Sequence, residues 1–283
     1  MGAGSNITPT TFDLARVLVV GDTHGNTKWW LDHVIPMAKR NGAEGIVQAG
    51  DFGLWMDRNG DRYLDVVNQA LEDNGLWCMF VDGNHENFDA LLKLPLRGDG
   101  LREVRPRILH LPRGHRWTWQ GLKFLALGGA ASVSSNRRVE FFNWWSQESI
   151  TGGEVAVSSA GGKCDVLISH DAPLDVRLQG FTPHAPSEAN RGALQTVVDA
   201  TEPRLLFHGH MHHAYRARLD KTATLVVGLD KAEDMGNCVL LDIAKLAAGG
   251  VEVNDCAIAV DGGPTMPRAQ DLDRRAVAGL GLE

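Results

Sequence analysis

The chain is short of several things, and each shortage excludes a class of protein. It has four cysteines in 283 residues, Cys78, Cys164, Cys238 and Cys256, widely separated and with no C-x-x-C pair. That spacing argues against a disulfide framework or a thiolate metal finger, and the expectation is buried reduced thiols in strands. No apolar run reaches the roughly 18 residues that a membrane-spanning helix needs. The start, residues 1–11, is small and polar, with no basic segment followed by an apolar core, so no signal peptide is expected and a cytoplasmic setting follows. Positive charge is in deficit: 28 Lys+Arg against 35 Asp+Glu leave a net charge of −7, which does not favour a basic nucleic-acid-binding surface. Neither an internal repeat nor a low-complexity segment is present.

What remains is an ordinary globular balance, 43% hydrophobic and 22% charged, arranged as strands that end in polar clusters. The length admits two domains but suits one α/β unit, expected over residues 13–261 between a loose arm at 1–12 and a tail at 262–283. Val17-Leu18-Val19-Val20 reads as a strand buried on both faces, and it runs straight into Gly21-Asp22-Thr23-His24-Gly25. A helix is expected over 27–40, with Trp30, Leu31, Val34 and Met37 on one face, Thr27 as its cap and Pro36 as a kink or early stop. A strand at 45–49 ends in Gly50-Asp51, a helix covers 61–74, and a strand at 76–81 ends in Asp82-Gly83-Asn84-His85-Glu86. A short helix at 88–94 stops at Pro95. Strand–helix alternation of this kind predicts parallel pairing with right-handed crossovers.

Beyond Pro95 the pattern changes. Runs at 107–111, 115–119 and 122–127 read as an antiparallel meander, followed by Gly128-Gly129-Ala130 and a long loop whose Gly/Ser-rich part, 151–162, is expected to be exposed. A strand at 165–168 ends in Ser169-His170-Asp171. A helix over 190–201 follows. The strand at 205–207 ends in His208-Gly209-His210-Met211-His212-His213. Runs at 215–219, 223–227, 238–243 and 251–258 read as a closing antiparallel series.

Five strand ends thus carry Asp22-x-His24, Asp51, Asn84-His85, His170 and His210-x-His212. Singly, each has a bland reading: an Asp or Asn after a strand is usually a turn or cap residue, and a lone His is usually hydrogen-bonded rather than ligating. Jointly they repeat one device five times. Carboxyl ends of α/β strands are where ligands bind, and carboxylate beside imidazole suits zinc, manganese or iron.

The five blocks together resemble the calcineurin-like metallophosphoesterase superfamily, whose signature is D-x-H, G-D, G-N-H-[DE], a single H, and G-H-x-H. Gly21-Asp22-Thr23-His24-Gly25, Gly50-Asp51, Gly83-Asn84-His85-Glu86, Ser169-His170-Asp171 and Gly209-His210-Met211-His212 stand in that order. The resemblance implies an α/β protein: a four-layer α/β/β/α sandwich of two mixed sheets flanked by helices. It implies two divalent metal ions, Asp22, His24 and His212 holding the first, Asn84, His170 and His210 the second, with Asp51 bridging. Manganese is the first choice, iron or zinc being compatible with the same donors. A hydroxide between the ions would attack phosphorus in line, and His85, carrying no metal, would sit by the phosphate as proton donor or charge stabiliser. Asn84 would also face the substrate.

One departure shapes the expected substrate. Where related branches read G-D-x-x-D-R-G, with an arginine that grips phosphate, this chain reads Gly50-Asp51-Phe52-Gly53-Leu54-Trp55, and Asp57-Arg58-Asn59-Gly60 follows out of register. Arg137 and Arg138 are candidate substitutes, a solvated loop pair being the alternative. Losing that clamp should hurt a dianionic monoester more than a diester. The expected activity is therefore phosphodiesterase on a small nucleotide-type diester, cyclic nucleotides included, with activity on aryl phosphates. A phosphomonoesterase and a silent metal-bound scaffold are the alternatives. Around the blocks, Asp171 either orients His170 or caps the next helix, and Glu86 is expected at a helix start. His208 is expected to face the partner layer and His213 the surface; His33, His110, His115 and His184 are structural. Trp29, Trp30, Trp55, Trp144 and Trp145 either pack or stack on a base, with Trp55 and Trp145 the stacking candidates.

Overall fold

The computed structural model describes residues 13–132, 140, 144–178, 180, 182, 184–250 and 253–255. The expected arm and tail, Cys256, Arg137 and Arg138 lie outside them. In chain order come β1 (Arg16–Val20), α1 (Thr27–Trp29), a π turn (Trp30–Val34), α2 (Ile35–Arg40), β2 (Gly45–Gln48), α3 (Arg58–Asp73), β3 (Cys78–Phe80) and α4 (Phe88–Lys93). Then follow β4 (Arg102–Arg105), β5 (Ile108–His110), β6 (Arg116–Trp119), β7 (Leu122–Leu127), a 3-10 turn (Ser146–Glu148), α5 (Gly152–Ala160), β8 (Val166–Ser169) and α6 (Ala185–Thr201). The last are β9 (Leu205–His208), β10 (Tyr215–Arg218), β11 (Leu225–Gly228), β12 (Cys238–Asp242), α7 (Ile243–Ala247) and β13 (Val253–Asp255).

Two mixed sheets result, ordered β13-β12-β1-β2-β3-β5-β4 and β10-β11-β9-β8-β7-β6. Side-chain alternation explains why the central strands are apolar throughout. In β1, Val17 and Val19 join Val47 and Met79 in a core shared with Phe124, Ala126, Val166, Ile168 and Phe207 of the other sheet. Leu18 and Val20 point the other way, onto Trp30, Val34, Met37, Leu64, Val67 and Leu71 of the helices. The second sheet repeats this: Leu125, Leu127, Leu167 and Leu206 pack on Leu194, Val197 and Val198 of α6. Helix, sheet, sheet, helix is the order of layers. Among the described residues no helix is long and apolar enough to cross a membrane.

Four expectations are corrected. The meander is split: β5 joins the first sheet, parallel to β3 and antiparallel to β4, and only β6 and β7 form a hairpin, in the second sheet. The Pro112-Arg113-Gly114 link carries the chain between sheets rather than turning it back, and period-two patterning does not say which sheet a strand joins. The closing series is split as well, β10–β11 in the second sheet, with β11 parallel to β9, and β12–β13 in the first. The segment expected as an exposed loop holds α5, started by a capping box between Thr151 and Glu154 that offsets the poor helix propensity of Gly152 and Gly153. Finally, Pro36 does not stop its helix. The Ile35 N–H bonds back to the Trp30 carbonyl across a π turn, one residue wider than an α turn, and Pro36 lies within the first turn of α2, where its missing N–H does little harm. The extra residue rotates the apolar face, so Trp29 is buried while Leu31 is 40% exposed, and Asn26 rather than Thr27 caps the start.

Candidate metal centre

Strands β1, β2, β3, β8 and β9 all end at one edge of the sandwich, and the five polar clusters are the turns that follow. The turns are bonded to one another through backbone. Thr23 and His24 N–H groups donate to the Asp51 carbonyl, at 3.2 and 2.8 Å, and Gly25 N–H donates to Phe52. Glycine is required where these turns touch. A Cβ on Gly50, at φ +95°, would fall 2.3 Å from His170 Nδ1, and one on Gly83 would fall 2.1 Å from Asp51 Oδ1.

All seven expected ligands are brought together. His212 Nε2 lies 2.9 Å from Asp22 Oδ2. His24 Nε2 lies 3.2 Å from His212 Nε2 and 3.5 Å from Asp22 Oδ2. His170 Nε2 lies 3.2 Å from Asn84 Oδ1, and the His170 and His210 ring centroids are 5.1 Å apart. Asp51 sits between the two sides, Oδ1 3.4 Å from His170 Nε2 and Oδ2 3.8 Å from His24 Nε2. Ligand atoms of Asp22, His24 and His212 fall within 4.8 Å of one another, as do those of Asp22, Asp51 and His170. Orientation comes from backbone partners: the His170 Nδ1–H donates to the Ala49 carbonyl, 2.7 Å, and His210 N–H donates to Asp22 Oδ1, 2.9 Å, leaving Oδ2 for the site. His85 N–H donates to Asp51 Oδ1 at 2.8 Å, and its ring centroid is 5.3 Å from that of His24.

Asp22, Asp51, Asn84 and His170 are buried, so the electrostatics are strong. Burial opposes ionisation of both carboxylates, yet the surrounding imidazoles hold Asp22 and Asp51 below the usual range. Burial likewise opposes a charged His170, but the Asp51 carboxylate beside it pushes it up to about 10. Burial and the neighbouring His170 charge push His210 down to about 4. Two buried anions ringed by imidazole nitrogens and one amide oxygen fit divalent ions of intermediate hardness.

Neighbouring residues depart from expectation. Glu86 is not at a helix start. It is buried, accepts N–H bonds from Gly83 and Gly53 and ties two turns together; burial and the Asp51 charge push it up to about 8. Asp171 bonds Ala172 N–H and Asn190 Nδ2 instead of His170. His208 follows Leu206 on the helix-facing side of its strand and bonds the Tyr215 hydroxyl. Trp29, Trp30 and Trp145 are buried, while Trp55, 36% exposed, lies at the rim and donates its indole N–H to the His85 carbonyl, 3.0 Å. Ser132 and Glu148 escaped the sequence reading altogether. Asn84 Nδ2 donates to Ser132 Oγ at 3.0 Å, and Ser132 is held by Glu148; neither belongs to a motif block, so no local signal marked them.

Buried carboxylates ringed by imidazoles at the strand ends of an α/β/β/α sandwich define the class, a metal-dependent hydrolase. The family model described as calcineurin-like phosphoesterase matches residues 15–214, and the chain belongs to that family of phosphoester hydrolases. A comparison with curated proteins gives no match. Among solved structures the chain is similar to a proposed 5'-nucleotidase from Staphylococcus aureus, at 13% identity and TM-score 0.46, covering 93% of this chain and 57% of that one. It thus spans little more than half of that protein's length. It is also similar to the phosphopantetheinyl hydrolase from Mycobacterium tuberculosis (14%, TM-score 0.41, 79% of this chain and 95% of that one). A hypothetical protein from Thermus thermophilus stands at 16%, TM-score 0.41 and 76% of each chain. None of these likenesses bears on substrate.

Proposed function

We propose that Asp22, His24, Asp51, Asn84, His170, His210 and His212 hold two divalent ions, manganese foremost, and that the protein hydrolyses small phosphodiesters of nucleotide type. The observation that carries the metal reading is the convergence of these seven donors at one edge of the sandwich, buried on the Asp51 and His170 side and open at His212, with the two Asp51 oxygens turned to different histidines. When bound, the ions supply Lewis-acid neutralisation of phosphoryl charge and make a water acidic enough to attack near neutral pH. His85 donates a proton to the leaving oxygen; its backbone bond to Asp51 keeps its turn in register with the metal ligands. The diester preference is supported by Arg58, the arginine nearest in sequence to the absent clamp. It is exposed in the first turn of α3. The half-exposed Trp55 ring, anchored on the His85 carbonyl, supports a substrate whose leaving alcohol carries a flat aromatic group such as a nucleobase. The catalytic unit is taken as 13–261, and the buried thiols of Cys78 and Cys164 suit a cytoplasmic setting.

The test compares bis-aryl and mono-aryl phosphates with manganese added. The diester is expected to be the faster substrate. A monoester hydrolysed far faster would overturn the diester preference. A metal-loaded protein that hydrolyses nothing across a broad phosphoester panel would overturn the catalytic reading and favour a scaffold.

A further inference from the structure

An asparagine is a metal ligand in only one of its two amide orientations, because its oxygen coordinates a cation and its NH2 does not. The two orientations have nearly the same shape, so packing alone does not choose between them. At Asn84 the choice is made by hydrogen-bond direction. The amide is buried, its Oδ1 turned to His170 Nε2 and its Nδ2 to Ser132 Oγ at 3.0 Å. Ser132 and Glu148 are buried beside it. The Glu148 carboxylate accepts twice from Ser132: Oε1 from the backbone N–H at 2.7 Å and Oε2 from the hydroxyl at 2.8 Å. With its hydrogen given to Glu148, the Ser132 oxygen can only accept from Asn84. The partner it selects is the NH2, and the amide oxygen is left facing the metal ligands. Glu148 is itself fixed from behind, its backbone carbonyl accepting from Arg113 at 3.0 Å.

We infer that Ser132 and Glu148 are positioning residues that set the amide orientation of Asn84 and thereby the affinity of the second metal ion. This rests on the two-ion reading above. Glu148→Gln is the decisive variant because it preserves shape and reverses direction. The glutamine oxygen must still accept the Ser132 N–H, so its NH2 donates to the Ser132 hydroxyl. The hydroxyl hydrogen is then released towards Asn84 and finds an acceptor there only if the amide turns round, which puts NH2 into the metal site. Asn84→Asp reverses the need: a carboxylate opposes the wild-type hydroxyl oxygen, but it accepts from the released hydroxyl in the Glu148→Gln background and keeps its second oxygen on the site.

The experiment is manganese titration by calorimetry, with elemental analysis, on folded protein checked by circular dichroism. Wild type is expected to take two equivalents. Glu148→Gln and Asn84→Asp are each expected to weaken the second equivalent at least tenfold, and Asn84→Asp/Glu148→Gln to recover to within about threefold of wild type, a sign reversal that a merely structural role would not produce. If Glu148→Gln does not fold, Ser132→Ala, which removes the acceptor, and its rescue by Asn84→Asp carry the same test. Fewer than two equivalents in wild type would overturn the two-ion reading and this inference with it. Two equivalents in wild type together with undiminished affinity in Glu148→Gln, or a double variant no better than Glu148→Gln, would overturn this inference alone.

Discussion

Four of the seven candidate ligands hold a backbone conformation that L-residues avoid. His24, Asp51, His210 and His212 have φ of 43°, 53°, 62° and 47°, each at a cost of about 1–2 kcal/mol. The left-handed turn lets a side chain reverse off a strand end and face back over it, so strain is the means by which loop residues reach a shared space. The bonds that hold it are local: the Asp51 carbonyl takes two N–H groups of the first turn, and Asp22 takes that of His210. His212 offers the cleanest test, since its side chain is 39% exposed and leaves little cavity when removed. His212→Gly and His212→Ala lose the same ligand and the same bond to Asp22. Metal-free, the glycine variant is expected to be more stable than the alanine variant by about 1 kcal/mol in urea midpoint analysis. An alanine variant of equal or greater stability would show the turn to be unstrained. The candidate residues were legible in the sequence because each block repeats one device after one kind of strand. The positive φ values were not. Asp-x-His and Gly-His-x-His are equally compatible with extended backbone, and only contact between turns forces the reversal.

At the scale of elements, what could be read followed how local the determinant was. Strands buried on both faces announce themselves by composition, and the helices after β2 and β3 by spacing. The α5 helix was misread because glycine and serine content outweighed a cap that was there to be seen, Thr151 followed three residues later by Glu154. In the structure Thr151 Oγ1 accepts the Glu154 N–H at 3.3 Å and its hydroxyl donates to Glu154 Oε2 at 2.9 Å, while the same carboxylate accepts the Thr151 N–H at 2.7 Å. With two glycines in the first turn, the helix depends on that box more than most. Thr151→Ala is expected to cost about 1 kcal/mol of stability and Thr151→Ser a few tenths at most. Equal unfolding midpoints for Thr151→Ala and wild type would mean that packing of α5 on the second sheet holds the helix without its cap. The π turn before Pro36 was hidden for a different reason. A proline in a helical pattern signals a fault, but whether the chain breaks or widens by one residue depends on whether Trp29 and Trp30 gain a buried place, which is a property of the finished layer.

Across the whole molecule a second buried charge cluster, besides the candidate metal centre, joins the two sheets, on the link whose path the sequence did not reveal. Layer order was legible through the resemblance that the five motif blocks carry; sheet membership was not, because β5 and β6 read alike and are assigned by partners far along the chain. Arg113 lies on the link between them. It donates to Asp82 at the end of β3 (2.8 Å), to Glu154 of α5 (3.0 Å) and to the carbonyls of Gln147, Glu148 and Ser149. His110 of β5 meets the other Asp82 oxygen at 3.0 Å. Burial alone would raise the Asp82 carboxyl; Arg113 and His110 outweigh it and hold the group well below the usual carboxylate range. A carboxylate depressed in this way contributes stability above its unfolded value, near 4, and the contribution is lost as pH falls towards the folded value. Arg113→Met strands Asp82 in the interior and is expected to cost about 3–5 kcal/mol at pH 7. Without its cation Asp82 is raised by burial and takes up a proton as pH falls from 7, which relieves the variant, while the wild-type contribution is still largely present down to its unfolded value, near 4. The stability gap between the two should therefore narrow from pH 7 to pH 4 in urea titrations, and Asp82→Asn added to Arg113→Met should recover part of the loss at pH 7. A gap that stays constant or widens in acid would mean that Arg113 acts through the three carbonyls it binds and not through Asp82.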